Sequence, residues 1–415
     1  MANPFIDKHI LLGVTGSIAG YKSADLASKL TQAGARVSVI MTQSALKFIT
    51  PLTFQAVTGL KVFTDDDLWG NEGHVRHIAL GQSGDLMVIA PATANTLAKL
   101  AHGIADNLLT ITALAARCPL MVAPAMDGGM YNHPSTQENL NTLQKRGVTV
   151  VGPAEGHLAS GSTGLGRMVE PLEILGNIRR ILSRDGELKN RHIVVTAGGT
   201  IEPIDPVRAI MNRSSGKQGF ALAQAALDRG AEVTLICAPT HLLTPTGAKR
   251  VDVGSAQEML AAVLEAIPQA DALIMAAAVA DFQVVHPADL KLKKEHGIPE
   301  IKLELAPDIL ASVNHFKSQR HTPFVIVGFA AESQDLIANA QNKLKVKNLD
   351  LIAANDIRAR DAGFAVDTNR VILVDRDGQI DELPLLTKAE VAERVMDRVT
   401  SLLKDRIKSK PDLQA

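Results

Sequence analysis

The sequence is poor in cysteine, aromatic residues, net charge and long apolar runs, and each shortage removes a class of function. Its two cysteines, Cys118 and Cys237, stand far apart and form no C-x-x-C pair. That argues against a disulfide framework or a thiolate zinc site and points to a reducing compartment. One Trp, two Tyr and ten Phe are too few for a base-stacking platform along a nucleic-acid groove. Forty-three Lys and Arg against 44 Asp and Glu leave a formal charge of −1, without the field that gathers nucleic acid or an anionic membrane. The apolar stretch 10–14 is cut short by Thr15-Gly16-Ser17, so no secretion signal is read. The stretch 272–280 stops at Asp281, at about half the length of a membrane helix. A soluble cytoplasmic protein with no nucleic-acid and no membrane partner is expected.

What is present is an ordinary globular composition, 46% hydrophobic and 21% charged, on 415 residues, enough for two or three domains with a core each. The pattern is α/β. Residues 9–14 form an apolar strand, 15–20 a turn of small residues, then a helical pattern runs through Leu26 and Leu30 to Gly34, and 36–41 read as a second strand. A buried strand at 85–90, a helix from Ala94, a strand at 120–123 and a helix at 136–146 continue the series. Near residue 192 the design restarts: strand 192–196, turn Ala197-Gly198-Gly199-Thr200, helix 219–229. The next strand, Gly230-Ala231-Glu232-Val233-Thr234-Leu235-Ile236, parallels Gly34-Ala35-Arg36-Val37-Ser38-Val39-Ile40. Two tandem Rossmann-like domains, 1–188 and 189–415, are expected, divided at the polar stretch 183–190, with 404–415 as a charged solvated tail.

In parallel sheets ligands gather at the carboxyl ends of the strands, where turns open onto helix N-termini. Gly13-Val14-Thr15-Gly16-Ser17-Ile18 is not G-x-G-x-x-G, and no acidic residue ends the second strand, so NAD is disfavoured. Thr42 and Ser44 offer hydroxyls to a phosphate or a flavin ring. Asn212-Arg213-Ser214-Ser215-Gly216-Lys217-Gln218 imitates a phosphate loop, but Gln218 stands where Ser or Thr is required. Pro91-Ala92-Thr93-Ala94-Asn95 and Pro124-Ala125-Met126-Asp127-Gly128-Gly129-Met130 each follow a strand. Singly these are proline-started helices; together with the first turn they make three converging strand ends.

At this point the residues resemble a known family. Residues 13–19, His77-Ile78, 91–95 and Pro124-Ala125-Met126-x-x-x-Met130 resemble the homo-oligomeric flavin-containing cysteine decarboxylases. Arg208-x-x-x-Asn212-x-Ser214-Ser215-Gly216-Lys217, with 276–281 and Leu290-Lys291-Leu292-Lys293-Lys294, is similar to phosphopantothenate–cysteine ligases. In this order, over nearly the whole chain, the two resemble the bifunctional coenzyme A biosynthesis proteins of bacteria. The resemblance implies that CTP, with Mg²⁺, activates 4′-phosphopantothenate as an acyl cytidylate that cysteine then attacks. It further implies that FMN serves the decarboxylation of the product to 4′-phosphopantetheine.

By the same resemblance Gly16, Ser17, Ile18, Thr42, Ser44, Pro91, Ala92, Thr93, Ala94 and Met126 hold FMN, and His77 handles the thiol proton, as an imidazole near neutrality can. His74, three residues earlier, lacks the Ile-x-Leu context that follows His77. Arg208 and Asn212 hold the acyl cytidylate. Asp281, Lys291, Pro307, Asp308, Ile309, Leu310, Phe329, Lys343 and Lys347 contact CTP, and Lys291 also acts in the chemistry. Lys293 and Lys294 read as solvated charges. Decarboxylase-domain trimers joined by ligase dimers are implied.

Two positions depart from the pattern: Asp127 replaces the family's Asn, and Ser160 replaces a Cys before the Gly-rich run to Arg167. An ionised Asp127 would repel a substrate carboxylate, and a serine hydroxyl is a far weaker acid than a thiol. Three readings stay open: a modified proton donor, poor decarboxylation, or an inactive or regulatory flavin domain beside an active ligase. The first is preferred. In it Asp127, raised in an apolar site, or a neighbouring group supplies the proton and Ser160 positions product.

Overall fold

The computed structural model describes residues 3–69, 76–159, 161–293, 295, 299–319, 324–332, 335–356 and 366–408. Ser160, Lys294 and His74 lie outside the described residues. The chain divides into two compact units, 3–182 and 183–415 with the first two residues.

The first unit runs β1 (His9–Val14), α1 (Gly20–Gln32), β2 (Arg36–Met41), α2 (Pro51–Thr58), α3 (Arg76–Ser83), β3 (Leu86–Ala92), α4 (Ala94–His102), α5 (Leu108–Ala115), β4 (Leu120–Pro124), α6 (Gly128–Asn132), α7 (Pro134–Lys145), β5 (Thr149–Val150), β6 (Ala154–His157), β7 (Thr163–Arg167) and α8 (Pro171–Ser183). Five strands form a parallel sheet in the order β2-β1-β3-β4-β5. Every residue of β1 is buried, as expected where helices cover both faces. Ile10, Leu12 and Val14 enter one core and Leu11 the other, the period of two that a strand imposes. The helices have local reasons to start. Thr93 caps α4, Asn107 and Thr110 form a capping box on α5, and Gly103 ends α4 in the left-handed region at φ 70°.

The second unit runs β8 (His192–Ala197), β9 (Ile201–Pro203), β10 (Ala209–Met211), α9 (Lys217–Leu227), β11 (Glu232–Cys237), β12 (Lys249–Asp252), α10 (Ala256–Ala266), β13 (Ala272–Met275), β14 (Phe282–Val284), β15 (Leu303–Leu305), α11 (Ile309–Ser318), β16 (Val325–Glu332), α12 (Leu336–Val346), β17 (Leu351–Asp356), β18 (Thr368–Asn369), β19 (Val371–Asp375), β20 (Ile380–Glu382), β21 (Leu386–Thr387) and α13 (Lys388–Lys408). Its main sheet is ordered β12-β11-β8-β13-β16-β17-β19-β20. The first six strands are parallel and follow the 3-2-1-4-5-6 order of a doubly wound nucleotide-binding sheet. β19 and β20 extend it antiparallel.

The two units repeat one local device. The backbone N–H of His9 donates to Asp85 at 2.8 Å, and that of His192 to Asp271 at 2.9 Å. Each ring Nε2 then meets a hydroxyl on the neighbouring strand, Ser38 at 2.8 Å and Thr234 at 2.9 Å. Burial holds the His9 imidazole below its ordinary pKa.

Candidate functional site

The strand order of the first unit has a switch point between β1 and β3, where chains leave neighbouring strands in opposite directions and a crevice opens. A cavity of about 840 Å³ lies there, within the ~300–1,000 Å³ usual for ligand sites. The turn after β1 contributes Gly16, Ser17 and Ile18, the turn after β2 Thr42 and Ser44, the turn after β3 Thr93 and Ala94, and the turn after β4 Met126 and Asp127. Thr15 fastens the first and third turns. Its hydroxyl donates to the carbonyl of Pro91 at 2.7 Å and accepts from the N–H of Thr93 at 3.2 Å. Pro91 and Ala92 are therefore wall supports, outside the cavity lining. Gly16 passes so close to Ser44 that a Cβ would stand 2.5 Å from Ser44 Cβ, so only glycine fits. The cap of α1 has no side-chain hydrogen bond; the Gly20 N–H donates to the Ser17 carbonyl and the Lys22 N–H to the Ala19 carbonyl, each at 3.0 Å, and the helix dipole makes this end favourable to an anion.

The remaining wall is a hairpin that sequence patterning did not reveal. β6 and β7 pair antiparallel, and the Met126 N–H donates to the Gly166 carbonyl at 3.0 Å. A Cβ on Gly166 would lie 2.2 Å from Met126 O, so the hairpin rests directly on the turn after β4. It contributes His157 and Arg167 to the cavity. Lys22, 6% exposed, is also on the wall, donating to the carbonyl of Met168 at 2.9 Å and to Glu170 at 2.7 Å. Lys99 is there too, paired with Asp106 at 2.7 and 2.9 Å. No local sequence signal marks either lysine for this wall.

Two of the expected catalytic residues are placed as follows. Asp127 is not in an apolar setting: it is half-buried, caps α6 and accepts the Gly129 N–H at 2.9 Å, so its carboxylate is engaged as an acceptor. His77, on α3, is half-buried and is not among the residues lining the cavity. Neither cysteine substitutes for the missing thiol. Burial raises the pKa of Cys118 and pushes that of Cys237 up to about 11.

In the second unit the expected ligase residues fall into groups. Asp205, 3% exposed, accepts from Arg208 Nε at 3.0 Å and from the backbone N–H of Leu292 at 3.1 Å, while Arg208 also donates to the Leu292 carbonyl at 2.8 Å. The Arg208 guanidinium holds the Asp205 carboxyl well below the usual carboxylate range. Asp205 thus ties Arg208 to the exposed Lys291, a role with no sequence signal beyond its spacing. Asn212 donates to the carbonyls of Ala278 at 3.3 Å and Val279 at 3.0 Å, on the segment leading to the exposed Asp281. Asp308 caps α11 and forms an ion pair with Lys347. Burial by itself would raise the Asp308 carboxyl, yet the Lys347 hydrogen bond and the Ala311 amide hold it below its ordinary value. Ile309 is buried, Pro307 and Leu310 are half-buried, and Lys343 lies on α12. Phe329 alone of the expected nucleotide set lines a second cavity, at the carboxyl ends of β13, β16 and β17. Among the described residues no three His, Cys, Asp or Glu side chains cluster as metal ligands, and no helix is long and apolar enough to cross a membrane.

Comparison with known proteins agrees with this division. Residues 5–183 match the Flavoprotein family, and residues 188–403 match the DNA/pantothenate metabolism flavoprotein C-terminal domain. The coenzyme A biosynthesis bifunctional protein CoaBC of Bacillus subtilis is 44% identical over 401 residues, covering 96% of this chain and 98% of the relative. That of Mycobacterium tuberculosis is 44% identical over 410 residues, covering 96% and 97%. A crystal structure of the C-terminal domain of such a protein aligns at 37% identity and TM-score 0.45, over 53% of this chain and 99% of that one.

Proposed function

The chain belongs to the family of bifunctional coenzyme A biosynthesis proteins, and from that membership we propose how its two activities, ligation and decarboxylation, are divided. Residues 189–415 join cysteine to 4′-phosphopantothenate at the expense of CTP, and residues 1–188 decarboxylate the phosphopantothenoylcysteine with bound FMN. The observation that carries the flavin half is the cavity at the β1/β3 switch point, lined by Gly16, Ser17, Ile18, Thr42, Ser44, Thr93, Ala94 and Met126. In the 2-1-3-4-5 order that is where a flavin mononucleotide sits.

The residues fit that group: the uncapped start of α1 takes a phosphate, hydroxyls of Ser17, Thr42 and Ser44 offer hydrogen bonds, and Met126 and Ile18 give apolar contact. When bound, FMN supplies two-electron oxidation of the cysteinyl thiol and returns the electron pair after CO2 has left. The chain itself excludes water with the β6–β7 hairpin and moves protons. His77 is assigned the thiol proton. Because it is absent from the cavity lining, it is supplied to the cavity of another copy, in the trimers, joined by ligase dimers, that the family resemblance implies. With Asp127 occupied as a helix cap, the neighbouring proton donor is assigned to His157, on the β6–β7 hairpin.

In the ligase half the phosphopantothenate carboxylate attacks the α-phosphorus of CTP and pyrophosphate leaves. The cysteine amine then attacks the acyl carbon and CMP leaves. Arg208, preset by Asp205, and Asn212 hold the acyl cytidylate, while Lys291, Lys343 and Lys347 meet the phosphates. Lys347 must exchange Asp308 for phosphate to do so. With no protein metal cluster among the described residues, Mg²⁺ would come with the triphosphate. Incubation with CTP, 4′-phosphopantothenate and cysteine should release pyrophosphate, CMP and CO2. Release of the first two without CO2 from a flavin-loaded protein would refute the decarboxylase half, and release of none of them would refute the ligase half.

A further inference from the structure

The turn after β4 carries a carboxylate where the substrate of the flavin unit brings another. Asp127 lines the flavin cavity and caps α6, and like charges at close range repel, so a cysteinyl carboxylate there needs a cation beside it. Three of the described residues lining the cavity are Lys or Arg: Lys22, Lys99 and Arg167. Two of these are already matched. Lys22 is buried with its ammonium on the Met168 carbonyl and on Glu170 Oε1 at 2.7 Å, and Lys99 meets both oxygens of Asp106. Arg167 Nη2 reaches the same Glu170 Oε1 at 3.3 Å, longer than the ~2.7–2.9 Å of a charge-assisted bond. One carboxylate oxygen thus serves two cations, and the more distant of them, Arg167, keeps its charge for a ligand. Its side chain is 40% exposed.

The backbone sets Arg167 beside both residues that bear on this carboxylate. The end of β7 runs along the turn after β4: a Cβ on Gly166 would stand 2.2 Å from the Met126 carbonyl oxygen and 3.3 Å from the Asp127 carbonyl carbon, and a Cβ on Gly128 would stand 2.9 Å from the Leu165 carbonyl oxygen. Across the hairpin Arg167 pairs with Ala154, and its side chain lies over Gly156, where a Cβ would stand 2.8 Å from Nη1 and 2.9 Å from Cδ. The bare glycine gives the guanidinium its bed. The next residue in the chain is His157, which also lines the cavity. Guanidinium, acidic turn and histidine therefore share one stretch of wall.

We propose that Arg167 binds the cysteinyl carboxylate of the substrate, its planar fork taking the two oxygens and its charge offsetting that of Asp127. The assignment rests on the decarboxylase reading and deepens it by placing the group that leaves. It agrees with the path of the proton. When the bond to CO2 breaks, its electron pair stays with the substrate, and the carbon that held the carboxylate is the one that then takes a proton. The group that holds the carboxylate and the group that donates the proton must therefore be neighbours, as Arg167 and His157 are. The substrate's phosphate is the other anion an arginine could take. It stands at the far end of a chain of cysteinyl, β-alanyl and pantoyl parts, on the order of 10 Å away when extended, and so away from the wall that carries His157.

In the flavin-loaded full chain, CO2 release is measured from phosphopantothenoylcysteine and from its dephosphorylated form, and binding of the carboxylate-free product 4′-phosphopantetheine is read from the shift of flavin absorbance. Arg167→Gln should raise the KM for both substrates about 10- to 100-fold, with flavin retention and product affinity within about twofold of wild type. Arg167→Lys, which keeps the charge without the fork, should fall between. Adding Asp127→Asn, which can still cap α6, to Arg167→Gln should recover about threefold or more by removing the repulsion. An unchanged KM overturns the proposal, as does a double variant that recovers nothing. A loss confined to the phosphorylated substrate would give Arg167 to the phosphate, and equal losses of substrate and product affinity would mark a displaced hairpin; either result also overturns it. If wild type releases no CO2, the decarboxylase reading fails, and substrate binding compared with product binding in the flavin spectrum still decides the role of Arg167.

Discussion

The ammonium of Lys22 lies 2.9 Å from the carbonyl oxygen of Met168, joining the first turn of α1 to the exit of the β6–β7 hairpin. With Glu170 it holds the hairpin's second strand against the helix that opens the flavin cavity. Replacing Lys22 by Met keeps the apolar stem and strands a buried carbonyl, which costs about 1–3 kcal/mol. FMN affinity should fall about tenfold or more, measured by flavin fluorescence on dilution, with CTP-dependent ligation unchanged. Unaltered flavin retention would contradict the latch.

Gly16→Ala is expected to displace Ser44 or the turn itself, since its Cβ would sit 2.5 Å from Ser44 Cβ and 3.1 Å from the Ser44 carbonyl carbon. The variant should purify colourless and release no CO2, while still releasing CMP from CTP. A yellow, decarboxylating variant would show that the turn is not the flavin cradle.

A shared decarboxylase site predicts complementation. His77→Asn and Gly16→Ala chains, each inactive alone, should regain decarboxylation when co-expressed, because one supplies the histidine and the other an intact cavity. Mixtures that stay inactive, although both chains enter one oligomer, would place His77 with its own chain's cavity.

Arg208→Lys keeps the charge but loses the fork that meets Asp205 and the Leu292 carbonyl. We expect ligase kcat/KM to drop about 10- to 100-fold, with decarboxylation of supplied phosphopantothenoylcysteine unaffected. Equal losses in both reactions would point to unfolding instead of misplacement.

His9 gives a pH signature. Its folded pKa is depressed by burial, so the neutral ring is favoured in the native state. The associated stability is present above the unfolded value of about 6.5 and is lost as pH falls through the lower folded value. Thermal unfolding of the flavin unit should shift downward between pH 7 and 5, and His9→Gln should flatten that slope. A wild type and variant with parallel slopes would rule the ring out.

The strands His9–Val14 and Arg36–Met41 were legible to the residue because strands buried on both faces read as continuous apolar runs. α7 starts two residues before the expected 136, at Pro134, where proline suits a first turn. α9 likewise begins at Lys217, before the expected 219, because Gly216 in the left-handed region already launches it. The β6–β7 hairpin was not legible. Its strands Ala154–His157 and Thr163–Arg167 are glycine-rich and lack alternation, and it is held by a tertiary contact, Gly166 on Met126. The turns proposed to hold the flavin stand out in the sequence because they end apolar strands. The groups that brace the sites, Lys22 and Asp205, do not, since burial of a polar side chain is decided by distant partners.

The first unit closes β1 with its own Asp85, and its residues 3–182 are consecutive in the chain. When the last residue of that unit is added, more than half of the chain is still to be made, on the order of ten seconds or more of translation. The unit therefore has time to pack its sheet before the second unit exists. The order of the two units along the gene thus makes the decarboxylase fold first, although the ligase acts first.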